Sequence, residues 1–160
     1  MTRPRTLTPK GTGTRTADGN PLAIAAALRK RLRARDRLYG AWMSIGHPEI
    51  ASLFASAQGD FVGVDLEHTT IELSTAQMII RTCHEYQRAC LPRVFSGNLE
   101  QIARLLDAGA DGIILPQVSS PADIDQVVQA LRYPPEGHRH FGVAAAHRYG
   151  RAFEAYVQAA

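Results

Sequence analysis

The stretch FVGVDLEH, residues 61–68, joins a short apolar run to an abrupt polar end. Its last residues include Asp65, Glu67 and His68. A buried parallel strand has this pattern when it delivers polar groups to the rim of an α/β sheet or barrel. A core strand that runs into a solvated turn has the same pattern. The rest of the chain is needed to distinguish the two interpretations.

Short apolar segments alternate with amphipathic segments of helical length along the chain. We predict strands at 38–45, 61–64, 89–94 and 112–115 and helices at 48–57, 74–86, 98–108, 121–131 and 151–160. Ser74 and Ser120 stand where helix caps are expected, and Gly109 stands where a helix would stop. Strands separated by helices of this length form right-handed βαβ units and a parallel sheet. Four such units indicate an α/β protein, either half of a (β/α)₈ TIM barrel or a small open sheet.

An additional helix is predicted at 21–36, with Asn20 as its cap and Pro21 in its first turn. One face of this helix is apolar and the other carries a basic run between Arg29 and Arg35. A basic helix can bind nucleic acid or an anionic lipid surface. Without interleaved aromatic residues, a solvated face is the favoured interpretation, so we expect no nucleic acid and no membrane partner.

Length and composition place the chain among single-domain proteins, with 160 residues and 45% hydrophobic content. No apolar run is long enough to cross a membrane. Residues 1–20 carry almost no large apolar side chain, so we predict a disordered basic arm there rather than an organellar transit peptide, and a domain at 21–160. Two cysteines, Cys83 and Cys90, are typical of a reducing compartment, and we expect a cytoplasmic protein.

Side chains of the kinds that catalysis uses lie at or near the end of each predicted strand. These are Trp42 and Ser44, then Asp65, Glu67 and His68, then Arg93, and finally Pro116 and Gln117. The carboxyl ends of parallel strands lie at one face, so His68 and Arg93 should converge although they are distant in sequence. A guanidinium can hold a carboxylate or enolate, and an imidazole can move a proton. A structural ion pair for Arg93 is the alternative.

Five motifs in register carry a resemblance to a known family. They are Gly40-Ala41-Trp42, Asp65-Leu66-Glu67-His68, Pro92-Arg93-Val94, the run from Leu106 to Ile113, and the run from Arg132 to Gly137. From about Leu38 to Tyr156 the chain resembles the HpcH/HpaI aldolase family. These are class II pyruvate-dependent aldolases, including those that cleave hydroxy-oxoheptanedioate and keto-deoxy-glucarate.

The resemblance implies a (β/α)₈ barrel that uses a divalent metal, Mg²⁺ or Mn²⁺, to hold pyruvate and stabilise its enolate. It also implies that the metal's two protein ligands follow the fifth and sixth strands, C-terminal to Ala160. No metal ligand is therefore expected in this chain. Asp65 and Glu67 are predicted to support the metal site and its water rather than to bind the ion.

The resemblance also assigns roles to individual residues. His68 is the predicted catalytic acid/base, and Arg93 the group that binds substrate and stabilises the enolate oxygen. Asp107 is predicted to orient His68, within one subunit or across a subunit boundary. Its alternative is a solvated carboxylate at an unfavourable helix end. Trp42 is predicted to line the substrate pocket, unless it is core, and Gln117 to contact the substrate.

Two departures from the family pattern lie in the long polar segment 133–150. Arg139 precedes His140 where the family usually has glycine, and Ala145 stands where arginine is common. The histidines of this segment, His138, His140 and His147, would make a replacement metal site only with carboxylates or cysteines nearby, so we disfavour one. Cys83 and Cys90 are predicted to be buried, inert thiols.

Three functions remain as hypotheses. The first is a carbon–carbon lyase that cleaves a hydroxy-oxo acid to pyruvate and an aldehyde, completed by a C-terminal half or a second subunit of a homo-oligomer. The second is an inactive, truncated homologue that serves as a binding or assembly module through unpaired strand edges. The third and weakest is a nucleic-acid or membrane-surface protein that acts through the basic helix.

Overall fold

The computed structural model describes residues 21–159. Its sheet contains three parallel strands in the order β1-β2-β3: β1 (Gly40–Met43), β2 (Phe61–Asp65) and β3 (Ala89–Arg93). The predicted parallel α/β arrangement is confirmed. The predicted disordered arm and the Asn20 cap lie outside the described residues.

Helices separate the strands and continue beyond them. They are α1 (Pro21–Arg33), α2 (Pro48–Ser56), α3 (Leu73–Glu85), α4 (Leu99–Ala108), α5 (Pro121–Leu131) and α6 (Phe153–Ala159), with a short 3₁₀ helix at Ala145–His147. Every predicted helix is present in the described part of the chain. The largest boundary error is at α1, which ends three residues before the predicted position 36.

Local capping explains most helix boundaries. The Asn98 side chain accepts a hydrogen bond from the backbone of Gln101 at 2.9 Å, which begins α4. Gly109 ends α4 in the left-handed conformation with φ of 104°, where a side chain would be strained. At α5, the Asp123 carboxylate accepts from the backbone N–H of Ser120 at 2.9 Å.

The predicted cap of α3 was wrong. The helix begins at Leu73, so Ser74 lies inside its first turn and Glu72 precedes the helix without a capping side-chain bond. A hydroxyl earlier in the chain organises the approach instead, because Thr69 Oγ1 accepts from the backbone N–H of Ile71 at 3.2 Å. The chain is already turned before Ser74 is reached.

The two faces of the sheet are covered differently. One face packs against α2, α3 and α4, and its core contains Met43, Val62, Val64 and Cys90 together with Ile79, Ile80, Ile102 and Leu105. Each such side chain contributes roughly 1.5–3 kcal/mol through burial. This face therefore forms the main hydrophobic core.

The opposite face is covered by α1 at the beginning of the strands. Ile24 and Leu28 of α1 pack with Ala89, Phe61 and Leu91. An ion pair between Arg31 and Asp60 fastens the helix to the residue before β2. Because α1 covers the start of the strands, the carboxyl ends on this face are left for polar side chains.

The fourth predicted strand, 112–115, was wrong as a strand. Among the described residues only an isolated parallel bridge joins Arg93 to Ile114. The backbone N–H of Ile114 donates to Pro92 O at 2.9 Å, and Val94 N–H donates to Ile114 O at 3.3 Å. The segment lies beside β3 as expected, but it makes too few backbone hydrogen bonds with β3 to form a strand.

Candidate active site

A cluster of polar side chains lies at the carboxyl ends of the three strands. It consists of Trp42, Asp65, Glu67, His68 and Arg93, and we call it the strand-end cluster. Asp65 and Arg93 end β2 and β3 and are partners in the parallel register. Their side chains therefore lie on the same face of the sheet, next to each other. Arg93 therefore lies against Asp65 and Glu67, and His68 lies beside Glu67.

Arg93 is held by two carboxylates. Its Nε donates to Asp65 Oδ1 at 3.1 Å and its Nη2 donates to Asp65 Oδ2 at 2.6 Å. Arg93 Nε also lies 3.3 Å from Glu67 Oε2. Bidentate guanidinium–carboxylate pairs fix orientation as well as charge. The position of this guanidinium is therefore set by β2 and by the turn that follows it.

Asp65 is the anchor of the cluster. Its side chain is 6% exposed, and its Oδ1 accepts from the backbone N–H groups of Glu67 at 3.0 Å and His68 at 3.2 Å. Burial acts to raise the pKa of Asp65, but the hydrogen bonds from Arg93 and from the His68 and Glu67 backbone outweigh it. The pKa of Asp65 therefore lies below its usual value, and the carboxylate is charged near neutral pH.

His68 is the exposed member of the cluster. Its side chain is 68% exposed, and its Nε2 lies 3.5 Å from Glu67 Oε2, whereas the Glu67 side chain is only 8% exposed. The imidazole is therefore accessible to a small molecule and has a fixed carboxylate beside it. A group in this position can accept and return a proton.

Trp42 lies across the guanidinium rather than in the core. The Arg93 Cζ atom is 4.9 Å from the centre of the Trp42 ring, and Trp42 is 45% exposed. Its register partner is Gly63, where an added Cβ would lie 2.7 Å from the ring. The absence of a side chain at Gly63 lets the ring lie flat on β2 and reach Arg93. The core alternative for Trp42 is thus excluded.

Two other predicted site residues lie elsewhere. Asp107 pairs with Arg139, whose Nη2 lies 2.5 Å from Asp107 Oδ1, while His68 Nε2 lies beside Glu67. Gln117 is exposed with φ of 53°, and its carbonyl accepts from the hydroxyl of Ser119 at 3.5 Å. Among the described residues neither Asp107 nor Gln117 has a hydrogen bond or ion pair with the strand-end cluster. Their predicted roles stay predictions.

Sequence reasoning missed the pairing of Asp107. The Arg139 side chain is 3% exposed and lies 4.7 Å from the ring centre of Tyr133 and 5.7 Å from that of Tyr156. We call these four residues the loop cluster. The one signal was the unfavourable position of a carboxylate at the negative end of α4, which implies a compensating cation. Nothing in the sequence identified that cation as Arg139.

The cysteines and the buried loop histidine have structural surroundings. Cys83 and Cys90 are fully buried, as predicted. A hydrogen bond with Cys83 and burial raise the pKa of the Cys90 thiol well above its usual value, so it is not a nucleophile. His147 is buried, with Nδ1 accepting from Gly150 N–H at 2.9 Å, and its Nε2 lies 3.1 Å from the backbone N of Ala144 and 2.6 Å from Gly142 O. Both ring nitrogens of His147 therefore contact the backbone of the loop.

The described residues do not form a metal site. Within 21–159 no three His, Cys, Asp or Glu side chains come together in a way that could hold an ion. Both oxygens of Asp65, the best-placed carboxylate, are already bonded to Arg93. In the same part of the chain, no helix has the length and apolarity to span a membrane.

Parallel strands alternating with helices, and a polar cluster at the carboxyl strand ends, are features of α/β proteins, both TIM barrels and open sheets. The sequence identifies the family. The profile of the HpcH/HpaI aldolase/citrate lyase family matches residues 38–156, so the chain belongs to this family. The predicted family membership and fold class are confirmed.

Similar proteins support the same assignment. A hydroxypyruvate/pyruvate aldolase of Sagittula stellata is 33% identical over 74% of this chain and 47% of its own length. A 2-keto-3-deoxy-L-rhamnonate aldolase of Salmonella typhi is 32% identical over 85% and 52%. The crystal structure of a family member from Burkholderia cenocepacia superposes with a TM-score of 0.76 at 28% identity, covering 82% of this chain and 54% of that one. The chain thus spans about half the length of the curated relatives it matches.

Proposed function

We propose that this chain forms the substrate-binding and acid/base part of an aldolase that cleaves a hydroxy-oxo acid to pyruvate and an aldehyde. The observation that carries the proposal is Arg93, held by Asp65 and Glu67 at a strand end beside the exposed His68. The names of the similar proteins, pyruvate and keto-deoxy-sugar-acid aldolases, support the same reaction class.

Arg93 has one hydrogen-bonding edge left for a ligand. The edge formed by Nε and Nη2 is occupied by Asp65, whereas Nη1 has no partner among the described residues. The edge formed by Nη1 and the second N–H of Nη2 can therefore receive two oxygens of a carboxylate or of a carboxylate and enolate. Since Asp65 fixes the guanidinium, little conformational entropy is lost when the substrate binds.

His68 supplies the proton transfers of the proposed reaction. The neutral imidazole removes the proton from the substrate hydroxyl, the carbon–carbon bond breaks, and an aldehyde leaves. The electron pair forms the pyruvate enolate, whose charge Arg93 stabilises. The imidazolium then returns the proton to the enolate carbon and produces the methyl group of pyruvate. Glu67, 3.5 Å from His68, stabilises the imidazolium between the two transfers.

Asp65 and Glu67 bring two negative charges against the single positive charge of Arg93. While His68 carries the transferred proton, the charges of Asp65, Glu67, Arg93 and His68 sum to zero before the charge of the bound enolate is added. The proposal therefore uses the two carboxylates for distinct purposes, Asp65 to fix Arg93 and Glu67 to support His68.

The divalent metal of the family enters no step of this mechanism, because the described residues do not form a site for it. The proposal for the whole enzyme includes three further roles. Asp65 and Glu67 support a metal-bound water, Asp107 is a partner of His68, and Gln117 contacts the substrate. The homo-oligomer and the complementing C-terminal half belong to the same proposal.

The test is pyruvate release from hydroxy-oxo acids, including 2-keto-3-deoxy-L-rhamnonate, by the 160-residue chain with and without Mn²⁺. We expect a His68→Ala variant to lose about 100-fold or more in rate. A His138→Ala variant, which changes an exposed histidine of the long loop, should keep the rate of the unmodified chain. The absence of any His68-dependent release under both conditions would refute the proposal for this chain.

A second candidate is a non-catalytic assembly module, and one observation favours it. Within the described sheet β1 has a strand on one side only, and the residues near its ends, Tyr39 and Ile45, are 64% and 66% exposed. An unpaired strand edge with exposed apolar neighbours promotes association. Size-exclusion chromatography tests this candidate: concentration-dependent oligomers without any His68-dependent turnover would support it, and a monomer would exclude it.

A further inference from the structure

A cavity of about 780 Å³ lies away from the strand-end cluster, among the second half of α3, the end of α4 and residues 145–152. Its polar lining consists of Arg81, His84, Arg148, Tyr149 and Arg151, and the rest is mainly alanine. The volume is in the range of small-molecule sites. The small alanine side chains leave that space open between the arginines.

The arginine side chains of this cavity lack the protein partners that the other arginines of the described chain have from Gly40 onward. The remaining arginines in that range have protein partners, which are carboxylates for Arg93, Arg104, Arg132 and Arg139 and backbone carbonyls for Arg88. The side chains of Arg148 and Arg151 have no hydrogen bond or ion pair with any described residue, and the Arg81 side chain bonds only to the Tyr149 hydroxyl, at 2.8 Å. Three uncompensated positive charges therefore line one cavity.

The geometry limits what can offset these charges from within the protein. No carboxylate lines the cavity among the described residues. Asp111 is near, but its side chain is 1% exposed and its Oδ2 is engaged by His84 Nε2 at 2.9 Å and by Cys90 N–H at 2.8 Å. The end of α4 at Gly109 contributes about half a negative charge at most. Three guanidinium charges exceed this, so the cavity attracts anions.

We propose that this cavity is a binding site for a phosphate-bearing small molecule, separate from the strand-end cluster. A phosphate group carries close to two negative charges and presents several oxygens, so that it can accept from two or three guanidinium groups at once. A monocarboxylate would leave most of the positive charge uncompensated. The Arg81–Tyr149 hydrogen bond holds one of the three guanidinium groups in place before the ligand arrives.

The experiment is isothermal titration calorimetry of the 160-residue chain with pyrophosphate, and with inorganic phosphate, at about 0.1 M NaCl so that surface attraction is screened. We expect saturable binding, tighter for pyrophosphate. The double variant Arg148→Gln/Arg151→Gln should bind pyrophosphate at least about tenfold more weakly, because each guanidinium makes a charge-assisted hydrogen bond. Both residues are exposed, so the thermal unfolding midpoint without pyrophosphate should not change.

The matched control is Arg29→Gln/Arg33→Gln, which removes the same charge from the exposed basic face of α1. It should leave pyrophosphate affinity within about twofold. An equal loss in both double variants would show general attraction to a basic protein and would overturn the site. No saturable binding, together with a change in oligomeric state on Arg148→Gln/Arg151→Gln, would also overturn it and identify the cavity as a docking surface for an acidic protein segment.

Discussion

The strand-end cluster and the loop cluster contain the same types of side chain in different surroundings. Each contains an arginine paired with an aspartate and placed over an aromatic ring: Arg93 with Asp65 and Trp42, and Arg139 with Asp107 and Tyr133. They differ in burial. The Arg93 side chain is 24% exposed beside the accessible His68, whereas the Arg139 side chain is 3% exposed.

Under the proposed function Arg93 binds the substrate and Arg139 is structural, and this difference in burial separates the two. Arg93 is anchored by a buried carboxylate, and its Nη1 has no partner among the described residues. Arg139 has the opposite arrangement, since it is buried and its partner Asp107 is 39% exposed. Residue type and pairing alone do not separate the two cases. The buried member of each pair determines whether the guanidinium can reach a ligand.

The largest expected effect is on stability, at the loop cluster. Asp107→Ala leaves the buried guanidinium of Arg139 without its carboxylate, so we expect a loss of about 3 kcal/mol in the free energy of unfolding. Urea denaturation measures it. Glu136→Ala is the matched control, because it breaks the exposed Arg132–Glu136 pair and should cost less than about 1 kcal/mol. Equal losses would show that burial of Arg139 does not matter.

The next effect is on catalysis, at the strand-end cluster. Arg93→Lys keeps the charge but cannot bond Asp65 and a substrate carboxylate with two planar edges. We expect kcat/KM for pyruvate release to fall about 100-fold, or roughly 2.7 kcal/mol, in steady-state kinetics. Arg104→Lys, at an exposed pair on α4, should leave kcat/KM unchanged. Retained activity in Arg93→Lys would mean that Arg93, like Arg139, is structural.

The next prediction concerns Asp65, whose contribution to stability depends on pH. The pKa of Asp65 is lowered in the folded chain, so its stabilisation is complete above the unfolded pKa of about 3.9 and is lost as pH falls through the folded value. We expect the unmodified chain to exceed Asp65→Asn in unfolding free energy by about 2 kcal/mol at pH 6. This difference should shrink below about pH 4. A difference independent of pH would contradict the assigned role of Asp65.

The smallest effect concerns the ring that lies over Arg93. Gly63→Ala places a Cβ 2.7 Å from the Trp42 ring and must displace it. We expect a cost of about 1 kcal/mol in stability and a severalfold loss of kcat/KM, because the cation–π contact is disturbed. The matched control is Gly142→Ala, where an added Cβ meets nothing within 4 Å. No difference between the two variants would remove Trp42 from the site.

Periodicity was sufficient for the helices and for three of the four strands. It failed at 112–115, because an apolar run specifies burial but not the number of ladder bonds that form. Only Ile114 bridges to β3. It failed also at Ser74, where a hydroxyl five residues earlier, Thr69, turns the chain before the expected cap.

The site was predicted in part. A strand that ends in carboxylates, followed by a strand that ends in arginine, implies adjacent side chains in a parallel sheet, and the Asp65–Arg93 register is the outcome. The Asp107–Arg139 pair spans 32 residues of sequence and crosses a long loop, so no local pattern encodes it. For the same reason, the three arginines of the cavity on α3 and residues 145–152 could not be grouped from the sequence.

The most direct test of the strand-end cluster as an acid/base site is exchange of the methyl hydrogens of pyruvate in D₂O, followed by NMR. In the proposed mechanism, formation and reprotonation of the enolate need Arg93 and His68 but no aldehyde. We predict that the chain accelerates exchange above the buffer rate, that His68→Gln slows it about 100-fold or more, and that His138→Gln does not. Exchange that is equally fast in His68→Gln, or that never exceeds the buffer rate, would contradict the account.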